Sequence, residues 1–276
     1  MTSTRERQRA AARARLAQDM ADRQAVAHKR RQRQAIIGAG VALLIVAGGV
    51  IWLVSSMGGD DKSTASGDPS AAPIACVWSE VPADQRQPTT KDVGVPPTTT
   101  PPTSGTQVMT VDTSFGPVEV TMDLAKSPCS AESFSYLASK QFWDGTKCHR
   151  MFPGMLQCGD PSAKGKGYRD SDGTGGPSYR YANENLPVDQ RPAYPEGVVA
   201  LANSGPDTNG SQFFFIYQDV ELSPDYTVLG KVTKGLENIK KATEPGHDGA
   251  FDPSPGGGHP KNDIEIKTLT VAAPAA

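Results

Sequence analysis

Hydrophobic and polar residues alternate regularly at the start of the C-terminal part of the chain. Residues 108–114 read VMTVDTS and residues 118–124 read VEVTMDL, with Phe-Gly-Pro between them. A period of two places successive side chains on opposite faces of an extended strand, and Gly-Pro favours a turn. The pattern therefore predicts a β-hairpin with one buried face.

The rest of this region contains further apolar runs of strand length and two runs with helical spacing. Phe134, Leu137 and Ala138 give the first helix an apolar face, and Ser127 or Ser130 is its expected cap. Many short strands with two helices predict a mainly β fold, a closed β-barrel whose ends are covered by helices. The additional strands are predicted at 147–152, 155–158, 197–202, 212–217, 226–232 and 263–271, and the helices at 127–142 and 235–243.

A different pattern occupies the N-terminal part, where residues 35–54 form an uncharged run of twenty residues. As a helix this run spans roughly 30 Å, the thickness of a bilayer core. Lys29, Arg30, Arg31 and Arg33 precede it, which favours a cytoplasmic N-terminus. We expect an uncleaved transmembrane signal-anchor helix. A cleaved signal peptide is the rival interpretation, and a buried soluble helix is disfavoured by the lack of charge.

The segment between the apolar run and the strands is rich in Ser, Thr, Pro and Gly, which make up 28 of its 52 residues from 55 to 106. Such a composition buries too little apolar surface to fold alone, so the segment is predicted to be an extracytoplasmic stalk. Cys76 and Trp78 are unusual in a linker and suggest that this part docks onto the following domain. The predicted domains are 1–34, 35–54, 55–106 and 107–276.

Charge separates these segments, although the whole chain has a net charge of only −2. Residues 1–34 contain ten Lys or Arg and three Asp or Glu, which makes this tail +7, and the chain beyond residue 54 is −9. The folded domain is therefore not expected to bind nucleic acid. The basic tail leaves open a scaffold function that binds anionic lipid or nucleic acid. A multi-span transporter is excluded because only one run is long enough to cross a bilayer.

The common catalytic signatures are missing from the sequence, which contains no G-x-S-x-G, H-E-x-x-H or phosphate-binding loop motif. Zinc at Cys148, His149 and Cys158 is disfavoured, because neighbouring residues of a strand point to opposite faces. We expect no metal and no cofactor. The four cysteines allow three pairings if all are bridged, which fits an oxidising location.

One set of motifs carries a family resemblance. CHRMFPGMLQCGD at 148–160, GTGGPSY at 173–179, ENL at 184–186 and VALANSGPDTNGSQFFF at 199–215 occur in this order. Here the chain resembles the cyclophilin-type peptidyl-prolyl isomerases, in the form of a bacterial membrane-anchored member. The resemblance implies an eight-stranded antiparallel barrel capped by two helices. It also implies an activity without a nucleophile, metal or general base, since bond rotation breaks no covalent bond.

The resemblance assigns roles to individual residues. Arg150 matches the catalytic arginine, and Gln157 matches the polar residue beside it. Other matching positions are expected to bind substrate as pocket walls or as a rim along the peptide backbone. These expected substrate-binding residues are His149, Phe152, Met155, Gly173, Ala202, Asn203, Ser204, Gln212, Phe214, Leu222 and Tyr226.

Departures from the family pattern affect the pocket. The PGMLQ sequence is one residue shorter than usual, so a pocket wall is either missing or supplied by Phe152. Tyr226 stands where a pocket histidine is usual, and it has the volume and a hydroxyl donor. Glu221 stands at the position of the tryptophan associated with cyclosporin, which predicts weak cyclosporin binding. The loop from Asp160 to Gly173 is longer than in compact relatives.

The expected function is isomerisation of Xaa-Pro bonds in extracytoplasmic polypeptides, assisting their folding at the cell membrane. Proline-containing polypeptides are the expected partners, and the N-terminal helix is the expected contact with the membrane. The alternative is a module that binds proline-containing segments with little turnover, because of the altered pocket.

Overall fold

The computed structural model of the chain describes residues 74–253 and 256–275. Within these ranges it has two α-helices, α1 (Pro128–Ser139) and α2 (Leu236–Thr243), and a short 3-10 helix at Ala83–Gln85. The strands are β1 (Ser79–Glu80), β2 (Thr90–Lys91), β3 (Thr106–Thr113), β4 (Gly116–Asp123), β5 (Thr146–Lys147), β6 (Arg150–Phe152), β7 (Met155–Cys158), β8 (Gly176–Pro177), β9 (Tyr179–Arg180), β10 (Val198–Leu201), β11 (Phe213–Ile216), β12 (Val228–Lys234) and β13 (Glu265–Val271).

The alternating pattern at 108–124 forms the predicted hairpin of β3 and β4. The two strands pair in antiparallel register from Thr106 opposite Asp123 to Thr113 opposite Gly116. Every second residue of each strand is buried, as the period of two requires. Gly116 adopts a φ of +118° at the turn, where a Cβ would meet the side chain of Asn238 at 2.7 Å. The hairpin thus supplies one side of the barrel-like core.

Nine strands form one antiparallel sheet in the order β5-β13-β3-β4-β12-β10-β11-β7-β6. Its two edge strands, β5 and β6, are consecutive in the chain and are joined through Cys148 and His149. The Cys148 amide donates to Ile264 on one side, and the His149 amide donates to Gln157 on the other. The sheet is therefore curled but not closed by hydrogen bonds. The predicted mainly β class with two helices is confirmed. The predicted closed eight-stranded barrel is wrong, because the sheet has nine strands and is not closed by hydrogen bonds. The chain bends at Cys148 and His149, so that β5 pairs with β13 whereas β6 pairs with β7.

Helix α1 begins at Pro128 and is not capped by a serine, contrary to expectation. The Ser127 hydroxyl donates instead to the carbonyl of Val228 at 2.6 Å. The carboxylate of Glu184 accepts hydrogen bonds from the backbone amides of Cys129 and Ser130, at 3.3 and 2.6 Å. A carboxylate satisfies the free amides of a helix N-terminus and interacts favourably with the helix dipole. The cap is thus supplied from a distant loop.

The core inside the curled sheet is aromatic. Phe134 of α1 packs on Trp143 with ring centroids 4.9 Å apart, and both rings contact Phe213 of β11. The Trp143 indole nitrogen donates to the carbonyl of Ser211 at 3.1 Å. Phe215 lies in the same core, whereas Phe214, on the other face of β11, belongs to a second buried cluster. Strand alternation therefore gives one face of β11 to the core and leaves Phe214 for a cleft.

The described part of the segment predicted as a stalk, residues 74–106, lies against the sheet domain. Cys76 forms a disulfide with Cys129 in the first turn of α1. Strand β1 pairs with β9, and β2 pairs in parallel with β8. The ring of Trp78 contacts Tyr179 and Tyr181 edge-on at 5.7 and 5.5 Å. The described residues accordingly belong to one compact unit, and the Cys76–Trp78 patch docks onto the sheet domain as predicted.

The basic tail at 1–34, the predicted span at 35–54 and the first part of the predicted stalk lie outside the described residues. Among the residues that are described, none of the helices has both the length and the apolar character needed to cross a bilayer.

Candidate active site

A cleft of about 330 Å³ opens between the β6–β7 hairpin and the loops that flank β10 and β11. All the residues that line it were singled out from the sequence. They are Arg150, Phe152, Met155, Gln157, Ala202, Asn203, Phe214, Leu222 and Tyr226.

The floor of this first cleft is apolar and firmly held. Met155 and Phe214 are 5% and 2% exposed. The rings of Phe214 and Tyr226 meet edge-on with centroids 5.5 Å apart. The Tyr194 hydroxyl donates to the carbonyl of Tyr226 and accepts a hydrogen bond from its amide. Since Phe152 also lines the cleft, it supplies a wall beside the shortened hairpin. The floor is suited to a compact apolar ring.

The opposite side of the first cleft is polar. Arg150 on β6 lies directly across from Gln157 on β7. The Arg150 guanidinium donates to the carbonyl of Gly256 at 3.3 Å, and the Gln157 amide donates to the Gln212 side chain at 2.8 Å. These hydrogen bonds fix a cation and an amide above the apolar floor. A fixed guanidinium can favour a transition state whose charge distribution differs from that of the ground state.

A second cleft of about 430 Å³ adjoins the first, and Gln157, Ala202 and Asn203 line both. Gly173, Ser204 and Gln212, which were also singled out from the sequence, lie in this second cleft. Because these three residues line both, the two clefts form one groove.

The floor of the second cleft is held by Gln212, which lines the cleft, and by the buried Asp160 behind it. The Asp160 carboxylate accepts hydrogen bonds from the backbone amides of Gly173 and Gly175. The Gln212 amide donates to the carbonyls of the same two glycines, both at 2.8 Å. A Cβ at Gly175 would come within 2.1 Å of the Asp160 carboxylate, so glycine is required for this close approach. The long loop from Asp160 to Gly173 is thus tied back at its end.

His149 is the one predicted site residue that lines neither cleft. It is 3% exposed, and its ring lies so close to Gly173 that a Cβ on this glycine would be 3.1 Å from the ring. Burial lowers the pKa of His149 to about 4, although Asp160 and Asp172 oppose this shift. The imidazole is therefore neutral near pH 7 and lies behind the groove. Its predicted contact with substrate stays a prediction.

Nine residues of the second cleft were not among the predicted site residues. Six of these lie within the motifs quoted from the sequence, namely Thr174, Gly175, Gly176, Thr208, Gly210 and Ser211, and three lie outside them. Gln85 and Gln87 belong to the segment predicted as a stalk, and Arg180 is on β9. None of them lies in a recognisable motif. The only signals were Cys76 and Trp78, which indicated that the segment docks onto the following domain but not at which surface.

The chain is similar in sequence to known proteins over the region that contains the first cleft. The family model "Cyclophilin type peptidyl-prolyl cis-trans isomerase/CLD" matches residues 108–271. A probable peptidyl-prolyl cis-trans isomerase B of Mycobacterium leprae is 40% identical over 172 residues, covering 57% of this chain and 54% of the relative. Its counterpart in Mycobacterium tuberculosis is 37% identical over 195 residues, covering 65% and 59%. The chain thus spans between half and three fifths of the length of these relatives.

Among solved structures, a cyclophilin type peptidyl-prolyl cis-trans isomerase of Cryptosporidium parvum aligns with a TM-score of 0.49 and 24% identity. The alignment covers 62% of this chain and 99% of that one. The family match covers more than half of the chain and includes every residue of the first cleft. The chain belongs to the cyclophilin-type peptidyl-prolyl cis-trans isomerase family.

Proposed function

We propose that this chain is a peptidyl-prolyl cis-trans isomerase that rotates Xaa-Pro peptide bonds. The observation that carries the proposal is the first cleft, which combines an apolar floor at Met155 and Phe214 with a fixed Arg150 beside Gln157. The family membership and the relatives named as isomerases at 37–40% identity support the same activity.

The reaction needs binding and polarisation, and no covalent chemistry. Rotation about a peptide bond crosses a barrier of roughly 18–20 kcal/mol, and unassisted prolyl isomerisation takes tens of seconds or more. As the amide twists, resonance is lost and its nitrogen gains lone-pair character. A donor held at this nitrogen therefore stabilises the twisted form more than either planar form. Arg150 is the donor, and the apolar floor holds the proline ring.

The test is isomerisation of an Xaa-Pro peptide measured by NMR exchange, which needs no coupling protease. We expect Arg150→Ala to lower kcat/KM by at least about tenfold, because a fixed charged donor to the transition state is lost. Arg150→Lys is expected to recover only part of the rate, since an ammonium lacks the planar fork. Arg191→Ala removes an exposed arginine that lines neither cleft and is the matched control.

The same samples discriminate the alternative function. Peptide binding by a wild-type chain that does not accelerate exchange would contradict the isomerase and favour a module that only binds proline-containing segments. An Arg150→Ala variant with the wild-type rate would show that Arg150 is not the catalytic donor.

We further propose that the domain acts outside the cytoplasm, where it assists protein folding, and is held to the membrane by residues 35–54. Two features support this location: the charged flank before the apolar run, and the pairing of all four cysteines as Cys76–Cys129 and Cys148–Cys158. Disulfides persist mainly in oxidising compartments. Weak cyclosporin binding stays a prediction, based on the exposed Glu221 beside the cleft residue Leu222.

A further inference from the structure

The second cleft differs in charge from the rest of the domain surface. Arg180 is the only charged side chain among the residues that line it, all of which belong to the described part of the chain. The other lining residues are Gly, Ala, Ser, Thr, Asn and Gln. The cleft therefore presents a positive charge among neutral hydrogen-bonding groups, although the chain beyond residue 54 has a net charge of −9.

The guanidinium of Arg180 is held in place with donors to spare. One terminal nitrogen, Nη1, donates to the carbonyls of Pro177 and Tyr179 at 3.2 and 3.0 Å. The same nitrogen lies 3.7 Å from the positions that a Cβ would take at Gly176 and at Gly210. Nε and Nη2 have no acceptor among the described residues. A planar fork fixed on one side and free on the other is suited to receive a carboxylate.

No acidic side chain of the described residues forms an ion pair with Arg180, because those nearby are engaged elsewhere. Glu80 and Asp92 both face Arg86, at 3.9 and 2.6 Å. Asp160 lies behind the floor, where backbone amides and Ser162 satisfy its carboxylate. The positive charge of Arg180 is thus available to a ligand.

The outer wall of the second cleft comes from outside the region matched by the family. Gln85 and Gln87 lie at the turn between β1 and β2, upstream of residue 108, where the family match begins. The turn is fixed by pairing of β2 with β8 and by a hydrogen bond of 2.9 Å between the hydroxyls of Thr89 and Thr174. Neither glutamine side chain has a hydrogen-bond partner among the described residues. Their amides are additional donors facing the cleft.

We propose that the second cleft is a subsite for an acidic side chain of the substrate, with Arg180 as the residue that determines this specificity. The first cleft holds the proline, and the two clefts share Gln157, Ala202 and Asn203. The acidic residue therefore lies one or two positions from the Xaa-Pro bond. Gln85 and Gln87 complete the subsite and make the disulfide-linked segment part of substrate recognition. This inference rests on the proposed isomerase function.

The test uses the full-length chain and alanine-based peptides with one central Ala-Pro bond. A single Glu is placed at each of the two positions on either side of Ala-Pro, and each peptide has a counterpart with Gln. NMR exchange gives kcat/KM, and titration of the same samples gives Kd. At one position we expect the Glu peptide to be preferred by about tenfold, the effect of a charge-assisted hydrogen bond.

Two variants connect this preference to named residues. Arg180→Gln is expected to reduce the preference, taken as the ratio of kcat/KM for the Glu and Gln peptides with the same variant, to less than about twofold. The matched control, Arg191→Gln, removes the same charge outside both clefts and is expected to retain it. The double variant Gln85→Ala/Gln87→Ala is expected to lose about half to two thirds of the preference, and Gln190→Ala none.

The inference is overturned if Glu and Gln peptides differ by less than twofold at every position, or if Arg180→Gln keeps the full preference. Absence of turnover with every peptide would contradict the isomerase alone, because Kd still reports the acid preference. A preference that is equal in both arginine variants would show that another group determines it and would also overturn the assignment to Arg180.

Discussion

His149 is a buried residue behind the groove whose protonation affects the stability of the fold. Its ring nitrogens have no hydrogen-bond partner among the described residues, and burial lowers its pKa to about 4. Asp160 and Asp172 favour the charged form, whereas Arg150 and His259 disfavour it. The ring is therefore a neutral spacer behind Gly173, and a charge at this position would lie directly behind the floor of the groove.

This placement predicts a dependence of stability on pH. The unfolded chain binds a proton on this histidine below about pH 6.5, whereas the folded chain binds it only near pH 4. Between these values the unfolded state holds more protons, so the free energy of unfolding falls as the pH falls, by up to about 3 kcal/mol. His149→Asn is expected to remove this part of the slope. Guanidinium unfolding followed by tryptophan fluorescence at several pH values measures it.

The control for this prediction is His247→Asn, which removes a half-buried histidine of the loop after α2. Comparing its slope with that of the wild-type chain separates the effect of replacing a histidine as such from the effect of removing His149. Equal slopes for the wild-type chain and His149→Asn would contradict the assignment, even if the substitution lowers stability uniformly by disturbing the packing.

At the scale of elements, the segment from residue 74 to 106 is ordered by a few long-range contacts. Its disulfide to α1 closes a sequence separation of 53 residues, whereas Cys148–Cys158 closes one of 10. In the chain-entropy description, closing the longer loop stabilises by about 4 kcal/mol and the shorter by about 3 kcal/mol. Trp78 adds contacts with Tyr179 and Tyr181 and a hydrogen bond to Thr98.

We therefore expect Cys76→Ser/Cys129→Ser to lower the free energy of unfolding more than Cys148→Ser/Cys158→Ser, in denaturant titrations under non-reducing conditions. The first variant should also expose the segment to limited proteolysis, with cleavage between residues 74 and 106 mapped by mass spectrometry. The second pair links the bend before β6 to the end of β7 and serves as the control, since its loss leaves the segment tethered. A protease-resistant segment in the first variant would mean that the disulfide is not what holds it.

The elements also show what a sequence pattern can and cannot predict. Strands β3 and β4 and both helices were predictable, because periodicity is local and one face of each is buried. The residues of the first cleft were identified from the family resemblance. Gln85, Gln87 and Arg180 were not, since their role depends on a segment whose Pro and Thr content indicates disorder. Its order comes from Cys76 and Trp78, whose partners lie far along the chain.

The edges of the sheet illustrate the same limit. Cys148 and His149 sit within one predicted strand at 147–152, and no pattern there indicates that the chain changes neighbours. The change of neighbours is visible only in the folded structure, where β5 pairs with β13 and β6 pairs with β7. Local patterns thus predict which residues form strands, whereas closure depends on which strands meet.

At the scale of the whole molecule, charge divides the chain into a tail of +7, an uncharged run of twenty residues and a remainder of −9. Basic residues before an apolar run favour retention of that flank in the cytoplasm. The acid-accepting cleft proposed here lies in the negative portion, so its preference for Glu peptides depends on the local position of Arg180.

Raising the salt concentration to about 0.5 M should weaken this preference for Glu over Gln peptides only in part, because a partly buried pair of charges is screened less than an exposed one.

The charge division predicts where the chain resides in a bacterial host. We expect the full-length chain to stay with membranes after an alkaline carbonate wash, and an alkaline phosphatase fused after residue 276 to be active, since that enzyme needs an oxidising compartment. A chain lacking 35–54 should be released and its fusion inactive. Replacing Lys29, Arg30, Arg31 and Arg33 by Gln, with the run intact, should lower the active fraction. An N-terminal tag that stays on a full-mass product distinguishes an anchor from a cleaved signal peptide. A shortened product in the soluble fraction would contradict the anchor, but it would not bear on the proposed isomerase activity.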